Sequence, residues 1–185
     1  MKRRFLGKAI TLMVLLLLLG CGPTPIRNIP SDPNIEDTQN IQDGRGVIVT
    51  RIILNERNIG ATQPQVVLLA KTESFPGRSP RGFTIKAVPG ESIHTLTLPA
   101  GTYSWLQIWI QGPSHLFRGG LPFKVEAGKV NYIGDVIITI DGNDPWHYGM
   151  RLSSDPSTIK SDMLLNYPNL MAHYPLVMNL TEDNR

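Results

Sequence analysis

Ser92–Ile110 reads SIHTLTLPAGTYSWLQIWI, and its alternation decides the fold. Along Ser92–Leu98, Ile93, Thr95 and Thr97 fall on one face and His94, Leu96 and Leu98 on the other. That period of two belongs to a half-buried strand. Pro99-Ala100-Gly101 stops it, and Thr102–Ile110 opens a second strand rich in aromatic and branched residues. Six more segments of the same kind lie on either side: Val47–Leu54, Val66–Ala70 and Phe83–Val88 before it, and Phe123–Glu126, Lys129–Ile140 and Tyr148–Leu152 after it. Gly, Pro, Asn and Asp separate them, and no helical repeat intervenes. The expected fold is mainly β, a single antiparallel β-sandwich of seven to eight strands over residues 46–152.

The last segment, 153–185, reads differently. Asp155-Pro156-Ser157 offers a cap followed by proline at the first helical position. Ile159, Met163 and Leu164 then recur at helical spacing as far as Asn166-Tyr167-Pro168, and a second short helix is expected over Leu170–His173. Such helices need an apolar surface to rest on. Along Thr102–Ile110, Tyr103, Trp105, Gln107 and Trp109 point one way while Leu106, Ile108 and Ile110 point the other. The aromatic face is therefore expected to lie in the core or under the helical extension, which packs on the sandwich and finds its best apolar surface there. Left open, Tyr103, Trp105 and Trp109 would instead form a platform for stacking on the sugar rings of a glycan or cell-wall polymer.

At the other end, Lys2, Arg3, Arg4 and Lys8 introduce the apolar run AITLMVLLLLL, residues 9–19. A bilayer-spanning helix needs about 20 apolar residues, so this run has the length and flanks of a secretory signal. Leu18-Leu19-Gly20-Cys21 resembles the lipobox of bacterial lipoproteins. The resemblance implies cleavage after residue 20 and lipid attachment (diacylglycerol and palmitate-type acyl chains) at Cys21. Several chains, each contributing about 0.8 kcal/mol per buried methylene, hold a protein stably to a membrane. With Gly22 rather than aspartate after the cysteine, the family rule of enteric bacteria implies the outer membrane if the host is Gram-negative, and the domain is expected to face the periplasm rather than the outside of the cell. Plain secretion with a free Cys21 thiol is the blander alternative. Residues 21–45 are rich in Pro, Asn and Asp, and are expected to form the lipidated cysteine and a flexible tether.

LTLPAGTYSWLQIWI also resembles the turn element of transthyretin-like and carboxypeptidase-regulatory-like domains, in which Pro-x-Gly joins two strands and an aromatic opens the second. FKVEAGKVNYIGDVII is similar to the pairing that follows it there. Taken with the lipobox, the chain resembles uncharacterised bacterial envelope lipoproteins. The resemblance implies a transthyretin-like or immunoglobulin-like sandwich and no reaction.

Charge and composition narrow the function further. The chain holds 18 Lys+Arg against 15 Asp+Glu, but four of the bases lie in the leader. The mature part keeps 14 bases against the same 15 acids, so composition gives no argument for a nucleic-acid partner. Cys21 is the sole cysteine, leaving no thiolate for catalysis or metal once it is lipidated. His94, His115, His147 and His173 show no metal spacing, and no cofactor is expected. His94 shares a strand face with Leu96 and Leu98. His115 falls in GPSHLFRGG, expected to be a loop. Asp141-Gly142-Asn143-Asp144 fails the calcium-loop pattern at Leu152 and reads as a hairpin turn. Pro76–Gly82 carries Arg78 and Arg81 on a turn-rich loop. No nucleophile motif is present. The expected role is non-catalytic, a binding or structural module meeting an envelope protein or cell-wall polymer. An enzyme assembled from dispersed residues such as His115, Asp135 and His147 remains the alternative.

Overall fold

The computed structural model describes residues 27–29, 36, 37, 40–57, 65–71, 81–109, 114–141 and 144–183, and the leader and Cys21 lie outside them. The strands are β1 (Arg27–Ile29), β2 (Arg45–Arg57), β3 (Gln65–Lys71), β4 (Arg81–Ala87), β5 (Gly90–Pro99), β6 (Gly101–Trp109), β7 (Ser114–Val125), β8 (Val130–Asp141), β9 (Asp144–Ser153) and β10 (Leu176–Met178). Helices α1 (Pro156–Asn166) and α2 (Pro168–His173) lie between β9 and β10. One sheet runs β1-β4-β3-β6-β7. The other runs β10-β8-β2-β5, with β9 also on β8. Neither sheet closes on itself, so the chain is mainly β with two short helices near its C-terminus.

Every strand expected from the alternation is present, but the pairing is not antiparallel throughout. β2 and β8 lie side by side in parallel, as do β1 with β4 and β10 with β8. The cause is visible in VIVTRIIL and VNYIGDVIITI. A central parallel pair is covered on both faces and therefore reads as a near-continuous apolar run. GPSHLFRGG is also corrected, since from Ser114 onward it belongs to β7 and pairs with β6.

Two apolar clusters flank the second sheet. The first draws on both sheets, with Ile48, Ile52, Leu96, Leu98, Val136 and Ile138 from one and Ile85, Tyr103, Trp105, Ile108, Leu121 and Phe123 from the other. The second lies on the far side, where Ile159, Met163 and Leu170 of the helices cover Val47, Val49, Val130 and Tyr132. The helices thus pack on the valine and tyrosine face of the second sheet, and not on the tryptophan face expected from the sequence.

β8 serves both clusters through one inserted residue. Val49 pairs with Tyr132 but Arg51 with Asp135, so Thr50 stands opposite both Ile133 and Gly134. This bulge, rare between parallel strands, changes the parity of the strand. Ile133 faces the first cluster, and so do Val136, Ile138 and Ile140 beyond it. Gly134 adopts φ +93°, and Thr50 Oγ1 donates to its carbonyl at 2.8 Å. A methyl group there would be strained in backbone and would lie 3.1 Å from the Ser153 carbonyl oxygen.

Two described residues of the segment expected as a tether, Asp37 and Ile41, bond to the helical region. Beyond β1, the Asp37 carboxylate accepts from Asn169 N at 3.2 Å, Asn169 Nδ2 at 2.8 Å and Leu170 N at 3.0 Å. It thereby caps α2, whose own Tyr167 gives no side-chain cap. Ile41 N donates to Tyr174 Oη at 3.1 Å. A polar segment stays down because its carboxylate meets orphan helix N–H groups.

Gly134→Ala is expected to lower unfolding stability by about 1–2 kcal/mol in urea denaturation. A neutral result would show that the bulge is not held in this conformation.

Candidate functional site

Tyr103 and Trp105 do not form an exposed platform. Tyr103 and Trp105 are 1 % and 0 % exposed, enclosed by the first cluster, with Phe123 stacked on Tyr103 at a 5.9 Å centroid distance. The Trp105 indole N–H donates to Thr181 Oγ1 at 3.2 Å, and that hydroxyl donates to the Ile133 carbonyl at 2.7 Å. The stripe is also broken. Leu68 pairs with Gln107 and Leu69 with Trp105, so Leu106 bulges out and Ile108 joins Tyr103 and Trp105 in the core. A bulge is invisible to strict alternation, which sets Ile108 on the face opposite Trp105. Trp109 lies in β6 with its side chain outside the described set, as are the side chains of His115 on β7 and His147 on β9. Asp141 and Asp144 are register partners across a two-residue connection, a hairpin end.

The structure does assemble an ionic chain on the helical side of the second sheet, buried at Arg51 and Asp135 and exposed at Glu91. Arg51 Nη2 donates to Asp135 Oδ2 at 2.7 Å and Nη1 to Glu91 Oε1 at 3.2 Å. Tyr132 Oη donates to Asp135 Oδ1 at 2.7 Å and accepts from Asp155 N at 3.0 Å. The Arg51 and Asp135 side chains are 10 % and 1 % exposed. Four elements are tied by this chain: β2, β5, β8 and the residue that caps α1. Asp135 raises the Arg51 pKa, chiefly through the hydrogen bond. Burial, and then the Asp135 bond, raise that of Tyr132, so the phenol stays protonated. Asp155 accepts from Thr158 Oγ1 at 2.6 Å, from Thr158 N at 3.1 Å and from Ser157 Oγ at 2.8 Å. The Thr158 bonds, followed by that from Ser157, hold its pKa down to about 2. A depressed carboxylate stabilises above its unfolded pKa, so the α1 cap weakens as pH falls from about 4 to about 2.

Beside this chain an open cleft of about 630 Å³ runs between the start of β5 and α1, lined by Glu91, Ser92, Ile93, Asp162, Asn166 and Tyr167. Ser92 Oγ lies 2.9 Å from His94 Nε2, a nucleophile-to-base distance. Burial lowers the His94 pKa, which keeps the ring neutral and able to accept that hydroxyl proton. Among the described residues no carboxylate bonds to His94, so the pair lacks the third group that orients a catalytic base. Nor does any group of three His, Cys, Asp or Glu among the described residues suit a metal ion.

Sequence reasoning named Asp135 but missed its partner. The signal was present: Arg51 interrupts VIVTRIIL, and a charge inside a doubly covered strand must be paired. Its partner, 84 positions away, is set by the β2–β8 register and could not be read from spacing.

No family model, curated protein or solved structure matches the chain, so its residues alone carry the functional argument.

Asp135→Ala is expected to cost about 3–5 kcal/mol in urea denaturation, because it leaves Arg51 buried without its counter-charge. The double variant Arg51→Met with Asp135→Leu should recover most of that loss. A single-variant cost below about 1 kcal/mol would mean that the pair is exposed.

Proposed function

We propose that the protein is a bacterial envelope lipoprotein, anchored in the outer membrane through acyl chains on Cys21. Its domain stands in the periplasm as a non-catalytic binding or structural module. The carrying observation is the sequence Leu18-Leu19-Gly20-Cys21 at the end of an eleven-residue apolar run with four cations around its start. Eleven apolar residues are too few to span a bilayer. A cysteine placed at that junction has one well-understood use, acylation.

The finer fold reading is a β-sandwich of the transthyretin-like kind. It is supported by the shared apolar cluster between the sheets and by the turn at Pro99–Gly101. There the chain leaves β5 for β6 of the other sheet, and Tyr103 Oη donates to the Pro99 carbonyl at 2.8 Å. This is the Pro-x-Gly-x-aromatic element that carries the resemblance, with its aromatic holding the turn closed. A glycan platform at Tyr103 and Trp105 has no support, given their burial. The open cleft at Glu91 and Asp162 is a better place for an envelope partner to meet the domain.

Mass spectrometry of the native protein tests the anchor. The N-terminal peptide should begin at Cys21 and carry a diacylglyceryl group with an N-acyl chain, and Cys21→Ala should move the protein to the soluble fraction. An intact leader or an unmodified residue 21 would contradict the proposal.

A further inference from the structure

The fold sorts charge by end. Strand register places the first residues of β1, β2, β4 and β8 together with the last residues of β3, β5 and β7. Arg45 pairs with Pro99 and Val47 with Val130, while Lys71 pairs with Tyr103, Ala70 with Gly82 and Thr102 with Lys124. Tyr103 Oη on the Pro99 carbonyl joins the two sheets at this end. Arg27, Arg45, Lys71, Arg81, Lys124 and Lys129 are thereby gathered at one tip. Among the described residues, Asp43 and Glu126 are the acids on the turns there, and Glu126 Oε1 accepts from Asn179 Nδ2 at 3.3 Å. The opposite tip holds Glu56, Glu91, Asp141 and Asp144 against Arg57 and Lys86.

The mature chain is close to neutral, but this average hides a basic tip and an acidic tip. Strands of 10–13 residues separate them by about 30–40 Å. That is several Debye lengths at physiological salt, so neither tip neutralises the other.

Arg27 and Arg81 are direct register partners. Arg27 also lies six residues after Cys21, and six residues reach no farther than about 20 Å.

We propose that the basic tip docks on the anionic headgroup phosphates of the membrane that holds the anchor. The occupant is a lipid surface, and the inference rests on the lipoprotein reading. Acyl chains supply attachment and the arginines and lysines supply orientation, a second signal of the kind that polybasic segments add to a lipid anchor. Strand axes then stand away from the bilayer, and the acidic tip with its cleft points into the periplasm.

Acetylation of lysines tests this on the mature anchored protein reconstituted in vesicles. One vesicle set is phosphatidylcholine alone and the other phosphatidylcholine mixed with phosphatidylglycerol. Lys160, exposed on α1, is the internal reference. Lys124 and Lys129 should react several-fold more slowly relative to Lys160 on the anionic vesicles. That protection should vanish at about 0.5 M salt, where screening shortens below 5 Å, and in the double variant Arg27→Glu with Arg81→Glu. Equal reactivity on both vesicle types would overturn the proposal. The mass of residue 21 in the same sample separates the two ideas: an unmodified Cys21 refutes the anchor, while the lysine ratios for protein added to vesicles still decide the tip.

Discussion

β8 has to satisfy two apolar layers at once, and the rest of the structure depends on how it does so. Val130 and Tyr132 face the helices, while Ile133, Val136, Ile138 and Ile140 face the other sheet. Strict alternation cannot give 133 and 136 the same face. The residue inserted at Gly134 changes the parity, and Thr50 holds the bulge by its hydroxyl. Just past it, Asp135 turns to the helical side and meets Arg51 at 2.7 Å. The bulge and the ion pair are one device: the first aims the carboxylate, and the second makes the aim necessary. The C-terminal tail completes it. Asn179 N and Thr181 N bond to the Tyr132 and Ile133 carbonyls, and Glu182 N reaches Pro122 on the other sheet.

Much of this could be read from the sequence, and the failures have a common cause. Strand existence follows from local alternation, and the stretches around SIHTLTL and FTIKAV fell where expected. The α1 cap at Asp155 was likewise a local signal. What failed was non-local. Parallel pairing of β2 with β8 is a matter of topology, which alternation does not encode. Bulges at Leu106 and Gly134 shift parity by one residue, so Ile108 shares the core with Trp105 although alternation sets the two on opposite faces. Asp37 sat in a segment whose composition gives no reason to fold, and only the uncapped start of α2 supplies one. Of the candidate site, Asp135 and the lone charge of Arg51 inside an apolar strand are legible in the sequence, while their pairing and the places of Tyr132 and Glu91 beside them are not.

Function divides along the same line. The proposed anchoring rests on a contiguous motif and needs no fold. The basic tip is written nowhere in the sequence as a run, because Arg27, Arg45, Lys71, Arg81, Lys124 and Lys129 are brought together by strand order alone. On the proposed reading the two work together, the lipid fixing the protein to the bilayer and the tip fixing which way it points. The cleft between β5 and α1 is then the surface left facing outward, with carboxylates at Glu91 and Asp162 and with Leu165 of the same helix 79 % exposed.

On this account β8 binds both apolar layers into one cooperative body. Amide hydrogen exchange across a urea series, comparing peptides from β6, β8 and α1, decides whether it does. If the claim holds, the best-protected amides around Trp105, Val136 and Met163 will share one opening free energy and one urea dependence. A helical layer that exchanges at far lower urea, with its own separate isotherm, would contradict it.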